Sequence, residues 1–296
     1  MTMVTRRTVH AWCGALFISG GLAAAWPAAA VTRPVSAILV DARDGTVLFA
    51  ENAGIVRRPA SLTKMMTLFL TFDALDAGTL RPGDPVRFSR YASGMAPSKL
   101  GMRPGGSMTV EEAIRAVAVI SANDVAVALA ETIGGTEDRF ARMMTQKARA
   151  LGLQDTSFTN ATGLPGANLT TAQDIARLSM ALLRDHPGRY SAFATRSFRW
   201  AGRVVQNHNH LLGAYPGADG IKTGYTAEAG FALAASAKRG GRRLIAVVIG
   251  ERSVALRDRR VAKMLTEGFA EPARAPDRTE RPDRPDTLEE WLGRGR

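Results

Sequence analysis

The hydrophobic pattern divides the chain into a strand-rich start, a helical middle and a strand-rich close. "VSAILVDARDGTVLFAEN", residues 35–52, holds two short apolar runs around Asp44-Gly45, the turn chemistry of a tight β-hairpin. A helix then opens at Pro59-Ala60-Ser61 and carries Met65, Met66, Leu68, Phe69 and Leu70. From 78 to about 215 the apolar spacing predicts mainly helix, with glycine- and proline-rich loops. Within it, "TVEEAIRAVAVISANDVAVALAETI" contains two helical patterns that part near Ser121. "TTAQDIARLSMALLRD" is amphipathic, with Thr170 or Thr171 as its cap. "ADGIKTGYT", "GFALAASAKR" and "RRLIAVVIGE" read as three successive strands, the last two joined by Gly240-Gly241, and "SVALRDRRVAKMLTEGFA" follows as a final helix. Strands, helix, helical insert, strands, helix: this order predicts an α+β variant of the α/β class. Its sheet is mostly antiparallel, flanked by helices and interrupted by a large helical insert.

The two ends read differently. Residues 1–30 place Arg6 and Arg7 before an apolar stretch from Ala11 to Leu22, and Ala28 and Ala30 form an A-x-A signal. This is the pattern of a cleavable secretory signal peptide, so the protein is expected to be exported, periplasmic or extracellular. Glycines 14, 20 and 21 and Pro27 interrupt the run below the quality of a membrane span. Residues 31–270 form the expected folded domain. From 271 to 296 prolines, acids and bases alternate with almost no apolar residue before Leu288, the composition of a disordered tail. Leu288, Trp291 and Leu292 are too few for a stable membrane anchor.

Composition narrows the function classes. The only cysteine, Cys13, falls inside the signal segment, so stability must come from a core and not from disulfides. The formal charge is +12, which suits an anionic wall or membrane surface. The basic residues are scattered without aromatic interleaving, and only 6% of the chain is aromatic; nucleic acid is therefore a poor partner.

Three short motifs carry chemistry. Ser61-x-x-Lys64 stands at a helix start, where positions three apart share a face. Alone it is weak, since about one such pair arises by chance in a chain this long. A desolvated lysine can nevertheless deprotonate a serine and make it a nucleophile, especially beside a second cation. Lys222-Thr223-Gly224, on a predicted strand, supplies that cation and a hydroxyl for a substrate carboxylate. Gly224 would let an extended substrate lie against the strand. Ser121-x-Asn123 sits between two helical patterns, as a proton relay and amide clamp or as a pair of helix caps.

Together, Ser61-x-x-Lys64, Ser121-x-Asn123 and Lys222-Thr223-Gly224 reproduce the motif set of penicillin-binding proteins and serine β-lactamases. "PASLTKMMT", "SANDVAVALAE", "TTAQDIARLSMAL" and "DGIKTGYTAEAGFALAASA" resemble the low-molecular-mass D-alanyl-D-alanine carboxypeptidases over about residues 35–270. That resemblance implies a β-lactamase/transpeptidase-like fold and acyl transfer on peptidoglycan stem peptides, with β-lactams as covalent inhibitors and no cofactor or metal. It implies Ser61 as nucleophile, Lys64 as its base, Ser121 as proton relay and Asn123 as a substrate-orienting amide. The backbone N–H groups of Ser61 and Tyr225 would form an oxyanion hole, and Lys222 and Thr223 would hold the terminal carboxylate. Arg257 would be a further carboxylate ligand, with a solvated arginine-rich helix face as the alternative. A DD-endopeptidase using the same residues is the nearest rival. A β-lactamase is disfavoured because no convincing Glu-x-x-Leu-Asn segment lies between Ser121 and Lys222.

His208 and His210 in "QNHNHLLG" have a spacing that could bind metal along a strand, but no companion ligands are evident. They read as structural or solvated histidines. No Ser-His-Asp arrangement is assembled by the remaining histidines, His10 and His186.

Overall fold

The computed structural model describes residues 34–271. The expected signal peptide and all but the first residue of the expected tail lie outside the described residues. The backbone is an α+β fold. Its five-stranded sheet combines β1 (Ser36–Asp41), β2 (Val47–Glu51), β7 (Ala218–Thr226), β8 (Gly230–Arg239) and β9 (Arg242–Glu251). The strand order is β2-β1-β9-β8-β7, with every neighbouring pair antiparallel. The hairpins expected at Asp44-Gly45 and Gly240-Gly241 join β1 to β2 and β8 to β9.

The period of two assigns each central strand's side chains to two cores. Ile38, Val40, Ala232, Ala234, Ile245, Val247 and Ile249 face the larger core, packed with the main group of helices. Ala37, Leu39, Leu233, Ala235, Leu244, Ala246 and Val248 face the smaller one, closed by Val261, Met264 and Leu265 of α8 (Val254–Ala270). Burial on both faces explains why β1, β8 and β9 read as nearly continuous apolar runs.

Between β2 and β7 lie α1 (Lys64–Asp76), β3 (Pro85–Arg87), α2 (Arg90–Ser93), β4 (Ser107–Thr109), α3 (Val110–Ile120), α4 (Asn123–Gly134), α5 (Glu137–Ala150), α6 (Ala172–Asp185), β5 (Ser197–Trp200), β6 (Arg203–Gln206) and the single turn α7 (Leu211–Ala214). The insert is less uniformly helical than the sequence predicts. The hairpins β3–β4 and β5–β6 are formed by strands of three or four residues, too short to display a period. Side-chain caps account for the helix starts: Thr109 with Glu112 forms a capping box on α3, Thr136 caps α5, Thr171 caps α6 and Ser253 caps α8. Helix α1 is buried nearly all round and runs through the centre of the larger core. It therefore holds its first residues rigidly.

Candidate active site

Helix α1 is preceded by one 3-10 turn, Ala60–Thr63, and Ser61 lies in that turn. Its side chain caps nothing, because the turn has no side-chain cap. Ala60 takes φ 48°, a left-handed conformation that costs an alanine about 1–2 kcal/mol. Surrounding packing must supply that energy, as is common where a reactive residue is held at a fixed angle.

Lys64, the first residue of α1, is fully buried. Its Nζ donates to Asn123 Oδ1 at 2.6 Å and to the Thr162 carbonyl at 2.6 Å, and lies 3.1 Å from Ser61 Oγ. Both close partners can only accept. A neutral amine has two N–H donors and one lone pair. Those two acceptors take the donors, so the lone pair is left for the serine hydroxyl. Burial, followed by the charge of Lys222, lowers the Lys64 pKa well below the usual lysine value, while Glu137 opposes the change.

Ser121 ends α3 in a left-handed conformation, φ 61°, which turns the chain sharply before α4. Its hydroxyl is buried and has no hydrogen-bond partner among the described residues. An unpartnered buried hydroxyl costs stability, and a substrate atom would relieve it. Asn123, two residues on, donates its amide to the Ala96 carbonyl at 2.8 Å, which fixes Oδ1 toward Lys64. Neither Ser121 nor Asn123 acts as a side-chain cap.

Strand β7 is an edge strand, paired only to β8. Its other edge is held by Asn209 at Gly220 and borders the cleft at residues 223–226, where an extended peptide could add as a further antiparallel strand. Lys222 is 1% exposed, and its Nζ donates to the Thr223 carbonyl at 3.0 Å. Burial, then the nearby Arg257, brings its pKa down to about 7. Gly224 also meets a packing constraint that the sequence does not suggest. A Cβ there would press within 3.2 Å of Pro59 O and Ser61 N. The glycine lets β7 pack against the Ser61 turn.

Ser61, Ser121, Asn123, Thr223, Gly224, Tyr225 and Arg257 line one cleft of about 460 Å³. Lys64 and Lys222 lie buried behind its wall. Arg257 is 3% exposed and bonded to Asp258 Oδ1 at 2.9 and 2.7 Å, which excludes the solvated helix face. His208 and His210 are both exposed, in keeping with their reading as solvated histidines. Both line this cleft, because the segment that bears them is anchored to β7 and to α3. No histidine motif signalled this. Gly163 and Leu164, in the same cleft, and the Thr162 carbonyl belong to an irregular loop with no periodic pattern. A second groove of about 510 Å³ between β2 and α8 lacks any serine or buried lysine. Among the described residues no three His, Cys, Asp or Glu side chains are grouped to hold a metal ion, and no helix is long and apolar enough to cross a membrane.

Residues 24–253 match the D-alanyl-D-alanine carboxypeptidase peptidase family. The chain belongs to this family. Within it, the D-alanyl-D-alanine carboxypeptidase DacF of Bacillus subtilis is 40% identical over 242 residues, covering 80% of this chain and 62% of its own. The D-alanyl-D-alanine carboxypeptidase DacD of Francisella tularensis superposes with a TM-score of 0.78 at 30% identity, covering 79% of this chain and 70% of that one. Penicillin-binding protein D2 of Listeria monocytogenes, solved in its cefotaxime-bound form, gives a TM-score of 0.72 at 30% identity over 79% and 96% of the two chains. The chain spans about three fifths of the length of several curated relatives that it matches.

Proposed function

We propose that the protein is an exported serine D-alanyl-D-alanine carboxypeptidase that removes the terminal D-alanine from peptidoglycan pentapeptide stems. The observation that carries this reading is the Lys64 amine, held by two pure acceptors with its third position toward Ser61 Oγ. In the first step Ser61 Oγ attacks the carbonyl carbon of the penultimate D-alanine, and its proton passes to Lys64. The backbone N–H groups of Ser61 and Tyr225 stabilise the oxyanion as it forms. The peptide C–N bond then breaks, and Ser121 delivers a proton to the departing D-alanine. Asn123 orients the peptide, while Lys222, Thr223 and Arg257 bind the terminal carboxylate. Water attacks the acyl-enzyme ester and frees Ser61. No step requires a cofactor. β-Lactams enter the same first step and remain as acyl adducts.

Residues 31–270 serve as the catalytic unit in this reading, with 1–30 as a cleavable signal and 271–296 as an appended tail. The family membership and the shared fold support it. Fluorescent-penicillin labelling of the wild type beside Ser61→Ala tests it. The wild type should label and the variant should not; labelling that survives the substitution refutes Ser61 as nucleophile. Release of D-alanine from pentapeptide, faster than cleavage of cross-linked dimers, separates carboxypeptidase from endopeptidase.

A further inference from the structure

The alternating "NHNH" run, residues 207–210, is built so that asparagines and histidines face opposite ways. Asn207 donates its amide to the Thr195 carbonyl at 2.9 Å and accepts from the Asn209 N–H at 2.8 Å. Asn209, 2% exposed, donates its amide to the Gly220 carbonyl at 2.9 Å and accepts from the Leu211 N–H at 3.2 Å. Both asparagines therefore pin the segment, one of them to β7 two residues before Lys222. The intervening histidines line the cleft.

The two histidines are not equivalent. His210 Nδ1 meets Asp258 Oδ2 at 3.1 Å, and the other oxygen of Asp258 is taken by Arg257. His208 is tethered through its backbone N–H to the Val119 carbonyl at 3.3 Å, two residues before Ser121. The charged groups around its ring are Lys222 of β7, Arg257 of α8, Lys64 of α1 and its neighbour His210. All are cationic or can become so. None of the residues lining the cleft is acidic, and Asp258 is already shared between Arg257 and His210. The anion missing from this arrangement is the substrate's own.

We infer that His208 is a specificity-determining residue for the terminal carboxylate, facing it beside Arg257 and Thr223 and taking a proton from solvent as the carboxylate enters. The inference rests on the carboxypeptidase reading of the cleft. In the empty cleft, desolvation and then the surrounding cations push the His208 pKa below the usual histidine value, which favours the neutral ring. A carboxylate reverses the sign of the local field, and the ring becomes cationic. The site then gains a charge only when it holds an anion. Ligands without a carboxylate gain nothing from it.

The test compares acylation of Ser61 by benzylpenicillin and by its methyl ester, in the wild type, His208→Gln and His208→Arg, from pH 6 to 8.5. The ratio of the two second-order rate constants reports carboxylate preference. In the wild type it should exceed that of His208→Gln increasingly as pH falls toward 6, up to a limit of about tenfold for a one-unit change in ring pKa, and the gap should close by pH 8.5. His208→Arg, a permanent cation, should restore the preference at every pH. Lys222 adds a slope of its own that is common to all three proteins. Ring NMR gives a readout that a purely structural role would not move. The resonance absent from His208→Gln should titrate at least one unit higher in the penicillin adduct than in the free enzyme. It should not move in the ester adduct. The inference is overturned if the His208→Gln ratio tracks the wild type across the range, or if the ring titration is the same in free enzyme and penicillin adduct. A wild type whose mass shows no Ser61 adduct would overturn it together with the carboxypeptidase reading.

Discussion

Gly163→Ala should silence the site without touching any residue that does chemistry. Gly163 has φ +77°, and an ideal Cβ there would overlap the Ala60 carbonyl and lie 2.8 Å from Thr63 Oγ1. The left-handed backbone alone costs an alanine about 1–2 kcal/mol. Relieving the overlap must part the Thr162 loop from the Ser61 turn by on the order of 1 Å, since carbon needs several ångströms from its neighbours. That parting stretches the Lys64 Nζ to Thr162 carbonyl bond, now 2.6 Å, which holds the amine in place. A misplacement of about 1 Å costs roughly 10²-fold in rate. Gly105→Ala is the matched control, with φ +81° and nothing within 4 Å of the added carbon. Both variants should lose thermal stability, but only Gly163→Ala should lose about 10²-fold in the second-order rate of penicillin acylation. Acylation of Gly163→Ala within threefold of Gly105→Ala would refute the claim that this contact sets the lysine.

Three further outcomes are expected. Lys64→Arg puts a permanent cation in place of the neutral amine and cannot act as a base at neutral pH, so acylation should fall by about 10²–10⁴-fold; stopped-flow labelling near wild-type rate would count against Lys64. Lys222 has a folded pKa of about 7 against the usual 10.5. Below 7 it is charged in both states and the burial penalty applies in full, whereas from 7 to 10.5 the unfolded chain holds the extra proton. Stability of the free protein should therefore rise with pH across that window, by up to about 1.4 kcal/mol per unit from this group. Denaturant melts at several pH values should show that slope reduced in Lys222→Met, and parallel slopes would contradict it. Asp124 is buried and accepts from the N–H groups of Leu100, Gly101, Met102 and Val125. Asp124→Asn turns one acceptor oxygen into a donor and should cost about 2–3 kcal/mol; an unchanged denaturation midpoint would exclude the role.

What the sequence disclosed follows from the physics of each part. Strands β1, β8 and β9 were legible because burial on both faces demands uninterrupted apolar runs. A threonine cap, Thr170 or Thr171, was legible because a threonine before an amphipathic stretch has few other uses, and Thr171 takes that place. Ser61, Lys64 and Lys222 stood out through residue type and spacing, and the fold draws them to one cleft. The Thr162 carbonyl could not be read, because backbone groups leave no trace in residue identity. Gly163 carried no signal of its own, since the reason for it lies in Ala60, a hundred residues earlier. His208 looked bland because its significance comes from cations on three other elements. The β3–β4 and β5–β6 hairpins fell below the length at which a period can be detected.

The position of β1 carries a consequence for how the protein comes to exist. Its first residue, Ser36, lies opposite Ile249 of β9, so the earliest strand waits for the last to be synthesised. The Ser61 turn follows the β1–β2 hairpin, and Lys222 reaches that hairpin only through β8 and β9. A nascent chain lacking β9 thus has no sheet joining nucleophile to carboxylate-binding strand. Pairings of such long range fold slowly, because chain entropy is lost before contacts repay it. The sheet that joins the Ser61 side of the cleft to β7 is therefore complete only once β9 is available. Under the proposed export of the protein, that delay is the interval in which a translocation machinery would act.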